Sequence, residues 1–217
     1  MTGFPGSPRL LKGGIVLADA RTGAIGRVIA LQYNPDTLTR TFQPKAAGSE
    51  GADRSEATRL KGPPVETIKL EAEIDAADQL ETGDRAALEV GVHPQLAVLE
   101  SLVHPTARQL QSSRALSAGG SLEIAPMLAP LTLFVWSKQR IVPVRLTELN
   151  VTEEAFDPDL NPIRAKVSLG MRVLSVDDLG FDNKGGSLYM AYLNNKERLA
   201  ARAAAGSLGP LGLTGLP

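Results

Sequence analysis

The 217-residue chain contains no cysteine, so disulfides and thiolate metal sites are closed to it and nothing marks its redox compartment. Aromatic residues make up only 4% and include a single tryptophan, too few for a stacking platform that reads bases or sugars. Neither sign of charge is in excess. The 23 Lys and Arg against 24 Asp and Glu leave a formal net charge of -1, without the basic surplus that nucleic-acid binding normally requires. Long apolar runs are missing too: stretches such as Leu131 to Trp136 fall far below the ~20 residues that span a bilayer, so no membrane insertion is expected. The start, Met1-Thr-Gly-Phe-Pro-Gly-Ser-Pro, has no basic segment followed by an apolar one, which predicts cytoplasmic synthesis without a signal peptide.

Motifs that carry chemistry are also absent. The chain has no Gly-x-Ser-x-Gly, no phosphate-binding Gly-x-x-x-x-Gly-Lys-Ser/Thr and no Gly-x-Gly-x-x-Gly. Its two histidines, His93 and His104, each precede a proline at the ends of one helix candidate, about 16 Å apart if helical, and a metal pair would need a third ligand and convergence. Glu153, Glu154, Asp157 and Asp159 cluster near a turn, but without the Asp-x-Asp-x-Asp-Gly spacing of a calcium loop they read as a solvated turn shaped by Asp157-Pro158 and Asn161-Pro162. Trp136, inside an apolar run, reads as core or interface. The sequence points to no catalytic residue, cofactor or metal. A hydrolase using His93 or His104 with the acidic turn, and a cell-wall or carbohydrate-binding β-domain contacting glycan through Trp136, are the rival readings from other classes.

What the chain does have is alternation. With 43% hydrophobic residues it can fill one sizeable core. In Pro162 to Leu174, Ile163, Ala165, Val167, Leu169, Met171 and Val173 fall on one face and Arg164, Lys166, Ser168, Gly170 and Arg172 on the other. Period two belongs to a pleated strand and not to a helix. The partner arm is Pro143 to Asp157. At about 3.3 Å per residue these arms would reach roughly 40 Å, well past the usual strand of ~5–6 residues. Strands this long, with two unlike faces, build surface and not pockets.

Elsewhere, strands are expected over Leu10–Asp19 and Gly26–Asn34, then Thr37–Gln43 after the break at Asn34-Pro35, then Pro64–Asp75. Leu131–Trp136 and Ile141–Leu146 form a further pair across Ser137–Arg140. Ala76–Glu81 is a short helical turn, and Pro94–Val103 is a helix with Leu96, Leu99, Leu102 and Val103 at helical spacing. Thr106–Ile124 reads as a polar loop. Ser187–Arg202 reads as an amphipathic helix with Leu188, Tyr192, Leu199 and Ala203 near one stripe. There is no internal repeat. The expectation is a mainly β, β-rich α+β fold: an antiparallel sandwich or barrel with long hairpins and a flanking helix. By segments, 1–184 is the β domain with a mobile loop at 44–61, 185–205 a C-terminal helix and 206–217 a Gly/Leu/Pro tail.

Several blocks in order resemble one family. Leu31-Gln-Tyr-Asn-Pro-Asp-Thr-Leu-Thr-Arg40, Gly62-Pro-Pro-Val-Glu-Thr-Ile-Lys-Leu-Glu-Ala-Glu-Ile-Asp75, Val92-His-Pro-Gln-Leu-Ala-Val-Leu-Glu100, Phe134-Val-Trp136, Pro143-Val-Arg-Leu146, Thr152-Glu-Glu-Ala-Phe-Asp157 and Pro162-Ile-Arg-Ala-Lys-Val-Ser-Leu-Gly170 are similar to the tube proteins of contractile, phage-tail-like injection systems. Within that family the resemblance is to the baseplate tube adaptor between spike hub and inner tube. It implies a tail-tube fold and a homo-oligomer, a six-membered ring whose long hairpins line a lumen. It also implies inner-tube, spike or hub, and baseplate wedge proteins as partners, and residence in an assembled particle. On it, Arg164, Lys166, Ser168 and Arg172 would face the lumen, while Ile163, Val167, Leu169 and Met171 would face the core. An ordinary inner-tube subunit and a tube cap remain alternatives. The LysM module that often follows in adaptors is not seen here after Arg202.

Overall fold

The structure is a computed structural model, and it describes residues 11–45, 60–118, 129–203, 206, 209–211 and 214. The loop expected at 44–61 and the 206–217 tail fall largely outside the described residues.

Alternating sequences form seven strands: β1 (Gly14–Ala18), β2 (Ile25–Ala30), β3 (Leu38–Gln43), β4 (Val65–Asp75), β5 (Leu131–Val135), β6 (Ile141–Phe156) and β7 (Pro162–Val173). They make one antiparallel sheet in the order β2-β1-β5-β6-β7-β4-β3, the mainly β architecture expected from the patterning. The two expected arms at 141–146 and 143–157 are one 16-residue strand, β6, which pairs with β5 by its first residues and with β7 along most of its length. A bulge at Thr147 and a left-handed Ala155 (φ 54°) bend it without breaking it.

The helices are α1 (Ala77–Glu81), α2 (Arg85–Val90), α3 (His93–Glu100), α4 (Ala107–Ala118), α5 (Val176–Leu179) and α6 (Lys184–Ala200). One core gathers the inward faces of β1, β4, β5, β6 and β7 with Leu96 and Leu99 of α3 and Tyr189 and Tyr192 of α6. Each buried aliphatic there stabilises by ~1.5–3 kcal/mol. Gly91, in the link from α2 to α3, is fixed as glycine by two requirements at once. Its φ is +57°, and an added Cβ would run into the Pro162 carbonyl, which accepts the Val92 N–H at 2.9 Å.

The sheet curls toward itself. Val28 to Gln32, on and just past the end strand β2, and Ala72 to Ile74, on β4 next to the other end, share a groove of about 410 Å³ with α3. Just past β2, the Gln32 side-chain amide donates to the Asp75 carbonyl at 2.7 Å and accepts the Asp75 N–H at 3.0 Å. The amide stands where a neighbouring strand's peptide would, so closure is made by a side chain and not by strand pairing. Neither β2 nor β3 has a strand on its outer edge among the described residues.

Two expectations are corrected. Residues 107–118, read as loop, are helix α4. Thr106 and Gln109 cap it reciprocally: Gln109 Oε1 accepts the Thr106 N–H and hydroxyl at 2.9 Å each, and Thr106 Oγ1 accepts the Gln109 N–H at 3.2 Å. No apolar period marks this helix because it buries no residue. On α6 the inward stripe is Gly185, Gly186, Tyr189 and Tyr192, while Leu199 is 43% exposed and outside it. The two glycines let the first turn of α6 close against α5 and its following residue Gly180.

Candidate interaction face

The strands β6, β7 and β4 present one continuous polar face. Its rows follow from register: Glu154–Arg164–Asp75, Thr152–Lys166–Glu73, Asn150–Ser168–Glu71 and Glu148–Gly170–Lys69 across the three strands. Opposite charges sit side by side, the arrangement that stabilises a sheet surface. Arg164 Nε donates to Asp75 Oδ2 at 2.8 Å and lies 3.6 Å from Glu73, while Lys166 Nζ lies 3.1 Å from Glu154. Gly170 has no side chain to intervene, so Lys69 reaches over it to Glu148 at 3.4 Å. Arg172 turns to Asp178 at 2.7 Å. Arg164 and Lys166 are exposed, and Ser168 and Arg172 half-buried. On the other face Val167, Leu169 and Met171 are buried in the core and Ile163 packs against it partly buried.

These pairs set the electrostatics. Burial raises the Asp75 carboxyl, but the Ala77 N–H and the Arg164 guanidinium outweigh it and hold the group below its usual value. The Asn150 amide, then the Lys69 ammonium, hold Glu148 low as well. A carboxylate depressed on folding contributes stability above its unfolded value and loses it as pH falls through the folded one. The face should therefore weaken below about pH 4, and a urea midpoint measured from pH 7 to 3 should drop most there. These pairs are open to water, so salt should blunt the effect.

The remaining residues singled out in the sequence do not converge. His93 starts α3 and His104 follows it. Among the described residues no group of three His, Asp or Glu could hold a metal ion, and no helix is long and apolar enough to cross a membrane. Asp157 organises its turn: it accepts from the Asp159 and Asn161 N–H groups at 2.9 and 2.8 Å and from the Asn161 side chain at 2.9 Å. Glu153 is exposed on β6. Trp136 is half-buried and stacks on Phe134 with ring centroids 5.9 Å apart, over Gly13, where a Cβ would strike the indole.

One constellation was missed in the sequence. Glu66 on β4, 3% exposed, accepts from Arg40 Nε and Nη2 at 2.9 and 2.8 Å, from the Tyr192 hydroxyl at 2.9 Å and from Lys196 Nζ at 3.1 Å. Lys196 also lies 4.1 Å from the Tyr192 ring centre and 4.9 Å from that of Phe42. Burial, then the Glu66 charge, push the Tyr192 hydroxyl well above its usual value. This cluster fastens α6 to β3 and β4, and its Arg40, Tyr192 and Lys196 also line a cleft of about 160 Å³. It is a structural device.

No family model matches the chain, and no curated protein matches it. Among solved structures, a chain in the C6-symmetric tail of an empty gene transfer agent particle is 13% identical. That match covers 75% of this chain and 90% of the other, at a TM-score of 0.30. A chain of the native gene transfer agent virion is 11% identical over 73% and 90%, at 0.27. Superpositions this loose carry no argument.

Proposed function

We propose that this chain is a non-enzymatic, ring-forming structural subunit of a contractile, phage-tail-like injection particle, at the tube-adaptor position between spike hub and inner tube. The observation that carries the reading is that, among the described residues, the sheet has an unpaired edge at each end and a long, two-faced hairpin between them. β2 and β3 leave Ile25, Val28 and Phe42 exposed. Exposed apolar edge strands are a liability in a monomer and a joint in an assembly. Pairing β2 of one copy with β3 of the next is a head-to-tail contact, which closes into a ring at the right rotation. Six copies are the number that the resemblance of the Asn34-Pro35, Pro64–Asp75 and Pro162–Gly170 blocks implies. Helix α4 buries no residue of its own, and at twelve residues such a helix is marginal alone in water. That fits a further contact to a neighbour.

In the ring, the β6–β7–β4 polar face would line the lumen. Its four rows carry five carboxylates, Glu71, Glu73, Asp75, Glu148 and Glu154, against three cations, Lys69, Arg164 and Lys166, so it would weakly repel an anionic cargo. The subunit would template tube stacking on the spike and leave with tube and spike when the sheath contracts. Inner-tube, hub and wedge proteins are its proposed partners.

The test is light scattering and electron microscopy of the purified chain, alone and with tube and hub proteins. Hexameric rings or discrete layers on the hub are expected. A chain that forms neither, with either partner, would falsify the proposal. Placing aspartate at both Ile25 and Val28 should abolish assembly while leaving the melting temperature within a few degrees, since both side chains are exposed.

A further inference from the structure

We propose that the cleft between the β5–β6 turn and α6 binds a small oxyanion, a carboxylate or phosphate group, with Arg140 as its principal ligand. The cleft measures about 160 Å³, and Arg40, Arg140, Lys196, Ser137, Trp136 and Leu199 line it. Three of these six carry positive charge. Glu66, which is not itself part of the lining, is already engaged by two of them, Arg40 at 2.8 Å and Lys196 at 3.1 Å. Arg140 has no ion pair among the described residues, so the cleft carries two positive charges more than the single carboxylate balances.

The surroundings show that this excess is felt. Burial pulls the Lys196 ammonium below its usual value; Glu66 pulls it back, and Arg40 and Arg140 push it down again. A bound anion would relieve that repulsion in a site only partly open to water, where a charge-assisted bond is worth more than at the surface.

Geometry prepares Arg140 for this use. Its carbonyl accepts the Trp136 N–H at 2.7 Å, and the turn is pinned to α6 by Asn195, which donates to the Gln139 carbonyl at 2.9 Å and side chain at 2.8 Å. Ser137 holds the left-handed conformation, φ 66°, that folds the turn back. A guanidinium on a fixed backbone presents a planar fork suited to two oxygens of one anion. Trp136 and Leu199 supply apolar walls for a short carbon stem. The volume admits an anionic group with a few attached atoms and excludes a polymer chain. The site does not rest on ring formation.

Trp136 is the only tryptophan, so its fluorescence reports on this cleft alone. The full chain is titrated at fixed ionic strength with inorganic phosphate and, separately, with acetyl-glutamyl-amide, using chloride as the control. A saturable change with phosphate alone assigns a phosphate ligand, and one with the glutamyl compound alone assigns a side-chain carboxylate. With both, the site is a general oxyanion site. Arg140→Gln should weaken binding about tenfold or more, the loss expected for a charged hydrogen bond, and Arg140→Lys should weaken it less. The turn's backbone bonds do not use this side chain, so both variants should melt like the parent. No saturable change with either probe up to tens of millimolar, or equal binding by Arg140→Gln, would overturn the proposal.

Discussion

Val167→Asp should abolish the folded subunit. Val167 is fully buried at the centre of β7, paired with Ala72 of β4 on one side and Val151 of β6 on the other. The substitution removes ~1.5–3 kcal/mol of apolar burial and places a carboxyl among the buried apolar side chains of the core. Kept charged, it costs several kcal/mol more; neutralised, it still leaves an unsatisfied polar group. Against a total of ~5–15 kcal/mol, this takes most or all of the stability. The expected result is insoluble protein, or soluble protein without a cooperative melt by circular dichroism. Lys166→Ser, one residue away, is the control. Lys166 is exposed and, among the described residues, paired only with Glu154, so its loss should cost within about 0.5 kcal/mol. A folded Val167→Asp protein would mean that β7 faces the other way.

That contrast shows how far the sequence could be read. From Ile68 to Ile74 in β4 and from Ile163 to Val173 in β7 every second residue is apolar, and period two assigns faces without reference to neighbours, so the strands and the mainly β class were legible. Strand order was not. β1 pairs with β5 from Gly14 opposite Val135 to Ala18 opposite Leu131 across more than a hundred residues, and alternation says which face is buried but not which strand lies alongside. Helix α4 was missed for the reason that leaves it exposed: with no face packed, it has no apolar period. Its one legible signal was Thr106 followed three residues later by Gln109. On α6 the leucines drew attention, yet the buried face runs through two glycines and two tyrosines because the helix sits close to α5 and the sheet.

The Glu66 network was legible in one respect. Glu66 stands in phase with Ile68, Leu70, Ala72 and Ile74, the buried face of β4, and a charge in that phase requires a partner. What the sequence could not supply was the partners' identity, since Arg40 lies 26 residues away and Lys196 130. The polar β6–β7–β4 face had the same mixture. Arg164, Lys166 and Arg172 stood out in β7, while the carboxylates that balance them come from β4, β6 and α5.

Glu66→Ala should loosen α6 from the sheet with a loss of about 2–4 kcal/mol. Breaking a buried ion pair by removing one partner typically costs ~3–5 kcal/mol, because the other charge is left unmatched. The figure is lowered here because Arg40 and Lys196 keep 23% and 35% of their side chains in water and can turn outward. For a chain of this size the melting temperature should fall by roughly 5–15 °C. Glu66→Gln keeps the volume and an acceptor for Arg40 and Tyr192 but not the charge, so its loss should be smaller, about 1–2 kcal/mol. Tyr192→Phe removes two hydrogen bonds, the one its hydroxyl donates to Glu66 and the one it accepts from Arg40, and should cost about 1–3 kcal/mol. The location of the damage matters as much as its size. Amide exchange should accelerate in Lys184–Ala200 and in β3, which Glu66 joins, and stay slow in β7, whose register with β4 runs from Thr67 onward and whose pairing with β6 does not involve Glu66. Uniform acceleration would mean that Glu66 supports the core as a whole. An unchanged melt would mean that Tyr189, Gly185 and Gly186 dock α6 by packing alone, with the ion cluster formed after the helix is in place.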